Sequence, residues 1–152
     1  MTEVRAKLAE LGLTLPVAAK PVAAYVPAIR TGHMVFTAGQ LPMVEGALSK
    51  TGKVGGEVSI EEAKKLAEIC ALNALAAVET VVEINKIVRV VRVVGYVNSV
   101  AGFTQQPEVI NGASELFLQI WGEAGKHARS AVGVAELPLN APVEVELTVE
   151  VA

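Results

Sequence analysis

The chain reads as an α+β domain: a mixed β-sheet with two long helices packed on one face. Three stretches carry that expectation. After Pro142 the residues alternate strictly, with Val143, Val145, Leu147, Val149 and Val151 on one side and Glu144, Glu146, Thr148 and Glu150 on the other. Such a period of two marks a strand with one face in a core. Ser59-Ile-Glu-Glu62 is a capping box. The apolar positions behind it, Ala63, Leu66, Ala67, Cys70, Ala74, Ala77, Val78 and Val81, follow the helical period of 3.6. Ile87 to Val94 is β-branched almost throughout, which predicts a central strand covered on both faces.

The remaining elements fall into place around these. Glu3 to Leu11 predicts a short N-terminal helix with Val4, Leu8 and Leu11 on one face and Gly12 as its stop. Ala23 to Arg30 and Met34 to Thr37 are strand candidates joined through Thr31-Gly32-His33. Glu45 to Gly56 is a glycine-containing loop with room for a short hairpin. Arg89 and Arg92 have opposite parity, so one is expected on each face of the central strand. Pro107 suits the first turn of a second long helix, whose apolar stripe is Ile110, Ala113, Phe117 and Ile120. Ala131 to Ala135 forms a strand beginning beside Arg129, and the Leu-Pro-Leu-Asn turn after it is expected to let it pair with the last strand. That pairing would bring one arginine close to a row of glutamates, a place to bind a small carboxylate and do acid–base chemistry on it.

Composition narrows the function. A length of 152 residues suggests one domain, 1–152, with residues 1–20 as a helical extension. A net charge of −3 and only six aromatic residues leave no basic, stacking surface for nucleic acid. All 16 acidic residues are Glu, so Asp-centred magnesium and phosphoryl-transfer sites are absent. One cysteine excludes an internal disulfide framework and fits a reducing compartment, and a cytoplasmic location is the expectation. Two histidines and that cysteine lack ligand spacing, so no metal site is expected. With 52% apolar residues and a mean hydropathy of +0.46, no apolar run reaches the roughly 18–20 residues of a membrane span. The N-terminus lacks a signal-peptide core. An apolar chain with few charges suggests surface hidden between subunits.

The residues also carry a resemblance. Tyr25, then Gly39-Gln40-Leu41-Pro42, then Asn111, Ala128-Arg129-Ser130, Leu137-Pro138 and Val143-Glu144-Val145-Glu146 resemble the YjgF/RidA family, collinearly from about Ala23 to the end. The resemblance implies a chorismate-mutase-like fold and a homotrimer with sites between subunits. It implies cofactor-independent hydrolysis of reactive enamines and imines, such as 2-aminoacrylate, to 2-keto acids and ammonia. The small-molecule partner is thus a 2-imino or 2-keto acid. Arg129 matches the family's carboxylate-binding arginine, and a planar guanidinium suits that task. Glu144 matches the glutamate that positions or activates water. Gly39 and Tyr25 match residues lining the pocket and its mouth, and Asn111 an asparagine on the second helix. Two positions depart from the pattern: Ala131 stands where cysteine is usual and Ala38 where serine is usual. Main-chain groups at Gly39 and Ala131 would then help orient the substrate.

Each residue also has a plainer reading. Arg129 could pair with Glu144 or Glu146, Gly39 could serve only a turn, Tyr25 could pack at an interface and Asn111 could support local hydrogen bonds. Cys70 lies in a helix's apolar stripe and reads as core. His127 has no Ser or Cys partner at a recognisable spacing, which argues against a triad. A trimer that binds a keto or amino acid without turning it over is the alternative function, favoured by the two alanines. Endoribonuclease, a label sometimes attached to the family, ranks last.

Overall fold

The computed structural model describes residues 1–21 and 23–152. Helix α1 is Val4–Glu10, α2 is Ile60–Glu79 and α3 is Gln106–Trp121. Strands β1 (Ala28–Thr31), β2 (Met34–Thr37), β5 (Ile87–Asn98), β6 (Ala128–Val134) and β7 (Val143–Val151) form one sheet in the order β1-β2-β7-β5-β6. All neighbours are antiparallel except β5 and β6. Strands β3 (Met43–Val44) and β4 (Ala47–Leu48) make a small separate hairpin inside the expected loop. The first strand begins at Ala28, five residues later than the sequence suggests.

Local chemistry explains the helices. The Glu62 amide donates to Ser59 Oγ at 3.1 Å and the Ser59 amide to Glu62 Oε2 at 2.9 Å, so the capping box closes in both directions. Both long helices lie on one face of the sheet and bury the Val/Leu side of β7. Each fully buried valine or leucine there contributes about 1.5–3 kcal/mol. Two glycines permit the close seating of α3. A methyl on Gly112 would stand 1.9 Å from the Lys64 carbonyl of α2, and one on Gly95 of β5 would stand 2.4 Å from the Ile110 side chain. Helix α1 caps the end of this layer. Val4 and Leu8 are fully buried, and Arg5 holds Glu79 at the end of α2 through two 2.7 Å bonds.

The structure corrects three expectations. Strands β6 and β7 do not pair, because β5 lies between them. The Pro138–Asn140 turn, with Leu139 and Asn140 at positive φ, carries the chain across the end of β5 instead of folding it back. Asn98 ties that crossing down. Fully buried, its Nδ2 donates to Ala141 O at 3.1 Å, Asn140 Oδ1 at 3.2 Å and Gly52 O at 3.3 Å, while its Oδ1 accepts from Lys53 Nζ at 2.8 Å. Second, β5 is covered by helices on one face only; the other face is open and leaves Val88 exposed. Third, Arg89 and Arg92 share that open face, opposite Glu150 and Thr148, because irregularities at Ile87/Arg89 and Val90/Arg92 shift the strand's parity. Exposed Ile29, Phe36 and Val132 lie on the same face by register.

Asn98→Ala removes the clasp and leaves buried carbonyls without donors. Its expected cost is about 2–3 kcal/mol, read as a lower urea midpoint. An unchanged midpoint would show that the crossing holds without it.

Candidate functional site

The expected site residues form two groups. Strand β7 places Glu144 on the open face, opposite Tyr96 of β5. The chain leaving β2 passes directly over it. Gln40 pairs with Val145, and a methyl on Gly39 would stand 2.5 Å from Glu144 Oε2. Only a residue without a side chain lets the carboxylate lie there. Beside it opens a cavity of about 450 Å³, whose walls include Tyr25, Gly39 and Glu144. Pro27, Leu41, Met43 and Leu139 make the rest largely apolar. Asn73 of α2, which the sequence reading missed, props this wall by donating from Nδ2 to both the Leu41 and Met43 carbonyls at 3.0 Å.

Electrostatics mark Glu144 among the glutamates of its strand. Burial pushes its pKa up, and the neighbouring charge of Glu146 adds to the effect. Glu146 itself accepts a 3.0 Å hydrogen bond from the Tyr96 hydroxyl. Cys70 lies inside, its thiol raised by burial and by the charge of Glu144, and its sulfur donates to the Val143 carbonyl at 3.7 Å. It is core, as its helical stripe indicates.

Arg129 lies elsewhere. On β6 it pairs with Val93, whose side chain faces the helices, so Arg129 points to the face opposite Glu144. Two strand spacings, about 10 Å, also separate β6 from β7. The expected closeness of this arginine to the glutamates is therefore absent within one chain, and so is the salt bridge with Glu144 or Glu146. Instead Nη1 donates to Asn111 Oδ1 at 2.8 Å and to Ser114 Oγ at 3.1 Å, and Nη2 to the Pro107 carbonyl at 3.3 Å. Asn111 thus does join Arg129. Ala131, two residues along the same strand, faces the same way and packs partly against the core. Burial lowers the arginine's pKa without discharging it.

The sequence reading also missed a serine–histidine contact. Ser114 Oγ lies 2.8 Å from His127 Nε2, and His127 Nδ1 lies 2.6 Å from the Gly125 carbonyl. Thirteen residues of helix and turn separate the two side chains, a spacing without a signature; only the fold brings them together.

Known proteins share this arrangement of elements. Residues 5–151 match the sequence model of a family described as "YjgF/chorismate_mutase-like, putative endoribonuclease". The chain belongs to the YjgF family. Protein TCP17 of Trypanosoma cruzi is 40% identical over 149 residues, covering 97% of this chain and 93% of that protein. The crystal structure of Atu1372 from Agrobacterium tumefaciens, of unknown function, superposes with a TM-score of 0.91 at 46% identity, covering 98% of this chain and 92% of that one. A "putative endoribonuclease" from Shewanella oneidensis MR-1 also gives a TM-score of 0.91, at 31% identity over 96% of this chain and 97% of that one. The YjgF fold is thus shared along nearly the whole chain, α1 included. No helix of the described residues is long and apolar enough to cross a membrane.

The raised pKa of Glu144 makes a stability prediction. Its ionised form is the one the fold disfavours. The favourable contribution is complete below the unfolded pKa, about pH 4, and is lost as pH rises through the higher folded value. Glu144→Gln should therefore raise the urea midpoint at neutral pH relative to the parent, with the gain shrinking towards about pH 4. A midpoint lowered at neutral pH would show that the carboxylate is stabilised where it lies.

Proposed function

We propose that the chain is a cofactor-independent imine deaminase that assembles as a homotrimer, with each site completed by two copies. The observation that carries this reading is the division of the site. Arg129 presents a cation at the β6 sheet edge, while Glu144 and its cavity lie on the opposite face near β2. Among the described residues, the cavity beside Glu144 has Lys20 in its lining but not Arg129. The exposed apolar side chains of the open face, Ile29, Phe36 and Val132, are surface that assembly would cover.

In the composite site Arg129 of one copy grips the substrate carboxylate. Three of its five donors are engaged by Asn111, Ser114 and Pro107. Nε–H and one Nη2–H have no partner among the described residues, donors suited to a carboxylate. The imine carbon then faces Glu144 of the neighbouring copy. Water adds to the C=N carbon, giving up a proton to the carboxylate. The glutamic acid returns that proton to nitrogen, giving an adduct that carries one hydroxyl and one amino group. The carboxylate then takes the hydroxyl proton and passes it to nitrogen as the C–N bond breaks, releasing ammonia and leaving the 2-keto acid. A carboxylate whose pKa lies above the ordinary range is the better proton acceptor near neutrality. The apolar cavity wall accommodates the substrate side chain and limits competing water.

A binding-only trimer uses the same site. Ala38 and Ala131, which offer no side-chain donor or nucleophile, favour it. Calorimetric binding of 2-oxobutanoate without imine turnover would select that reading.

The test generates 2-aminoacrylate in situ from an amino acid and follows pyruvate release. The wild type should accelerate it. Arg129→Ala and Glu144→Gln should each lose about 100-fold or more in kcat/KM while keeping the fold. Full activity in Arg129→Ala would remove the carboxylate grip. Specific RNA cleavage that disappeared with Arg129→Ala would replace the deaminase with a nuclease.

A further inference from the structure

Arg129 is held by a chain of neutral groups that runs deeper than its immediate partners. Its far end is the Gly125 carbonyl, which only accepts hydrogen bonds. His127 Nδ1 at 2.6 Å from that oxygen must therefore carry the ring proton. In the neutral ring Nε2 is then an acceptor, and the Ser114 hydroxyl at 2.8 Å donates to it. With its hydrogen committed, Ser114 Oγ presents lone pairs to Arg129 Nη1 at 3.1 Å. With a neutral ring, every bond in this chain has one allowed direction. Ser114 is buried, and the edge of the His127 ring meets Phe117 with centroids 6.0 Å apart. The guanidinium is thus tied through side chains that cannot turn freely.

We propose that His127 is a positioning residue: through Ser114 it locks the guanidinium of Arg129 so that its unengaged edge faces outward to receive a carboxylate. The locking stands on the geometry alone, whereas its use for a carboxylate rests on the reading of Arg129 given above. The chain runs in this direction with a neutral imidazole. A protonated ring would instead donate from Nε2 to Ser114 Oγ and release the serine hydrogen from the ring. The surroundings keep the ring neutral near neutral pH: burial lowers its pKa, the Gly125 carbonyl opposes this in part, and the charge of Arg129 lowers it further. Other charges nearby are already paired. Glu123 and Lys126 in the adjoining turn meet each other at 2.7 Å, and Glu115 of α3 meets Lys64 at 3.2 Å.

Two substitutions separate the hydrogen bond from the packing. His127→Phe keeps a ring against Phe117 and removes the acceptor. His127→Gln restores an acceptor near the position of Nε2. Two readouts apply to the full chain. Nitrogen-15 NMR of the Arg129 Nε–H reports rotation of the guanidinium, and calorimetry reports the Kd for 2-oxobutanoate. The expected result is that His127→Phe and Ser114→Ala each free the guanidinium and weaken binding about 5- to 10-fold. The double variant should be no worse than either single one, since both cut the same chain. His127→Gln should stay within about twofold of the parent. If the Arg129 signal in His127→Phe is as restrained as in the wild type, the proposal is overturned. If His127→Phe frees the guanidinium but Arg129→Ala binds 2-oxobutanoate as tightly as wild type, the locking stands and the carboxylate reading falls.

Discussion

The layout of this molecule depends on one crossing, the passage of the chain over the end of β5 between β6 and β7. Asn98 holds it with hydrogen bonds to three separate acceptors. Because the chain crosses, β7 returns on the far side of β5, antiparallel to it, while β6 runs parallel to β5 at the sheet edge. A simple hairpin would have placed β6 beside β7. The crossing separates the arginine strand from the glutamate strand, and register then turns their side chains to opposite faces. It also keeps β6 at the edge of the sheet.

The two faces impose different chemistry. On the helical face, valines and leucines of β7 pack against α2, while close seating of α3 at Gly112 and Gly95 brings Asn111 and Ser114 over β6. On the open face, Glu144, Glu146 and Glu150 stand in a row along one strand, with Arg89 and Arg92 on the next. Those arginines lie towards the far end of the row, opposite Glu150 and Thr148. Glu144 is left with Glu146 as its charged neighbour and with a partly buried carboxylate, which is why its pKa rises. The β-bulges of β5 contribute to this gradient by bringing both arginines to one face.

What the sequence made legible was local. The capping box, the helical stripes and the alternation of β7 each express the period of a single element, and each lies where its period indicates except at two helix ends, where Leu11 and Val81 fall just past α1 and α2 and are exposed. Pairing was less legible, since a turn of Leu-Pro-Leu-Asn is compatible with a hairpin or with a crossing; the buried Asn98 that decides between them sits about 40 residues upstream. Parity failed at Arg89 and Arg92 because a bulge adds one residue without a sequence signal. Tyr25, Gly39 and Glu144 line one cavity and Asn111 meets Arg129, but the two groups do not join within one chain. Ser114 and His127 were invisible because a serine inside a helix and a histidine after a glycine turn have no fixed spacing when they meet.

Two arginines of the chain show how a guanidinium is either satisfied or kept available. Arg5 gives two 2.7 Å bonds to both oxygens of Glu79, so its charge is matched by a carboxylate and its fork is filled. It ties α1 to α2 at the surface. Arg129 is more buried, yet its partners are an amide, a hydroxyl and a carbonyl. Neutral acceptors orient a cation without cancelling its charge. Burying an uncancelled charge is costly, and the lowered pKa of Arg129 records part of that cost. No glutamate of β7 reaches it, because register turns Arg129 to the face opposite that row. On the proposed reading of the site, the substrate carboxylate supplies the missing charge.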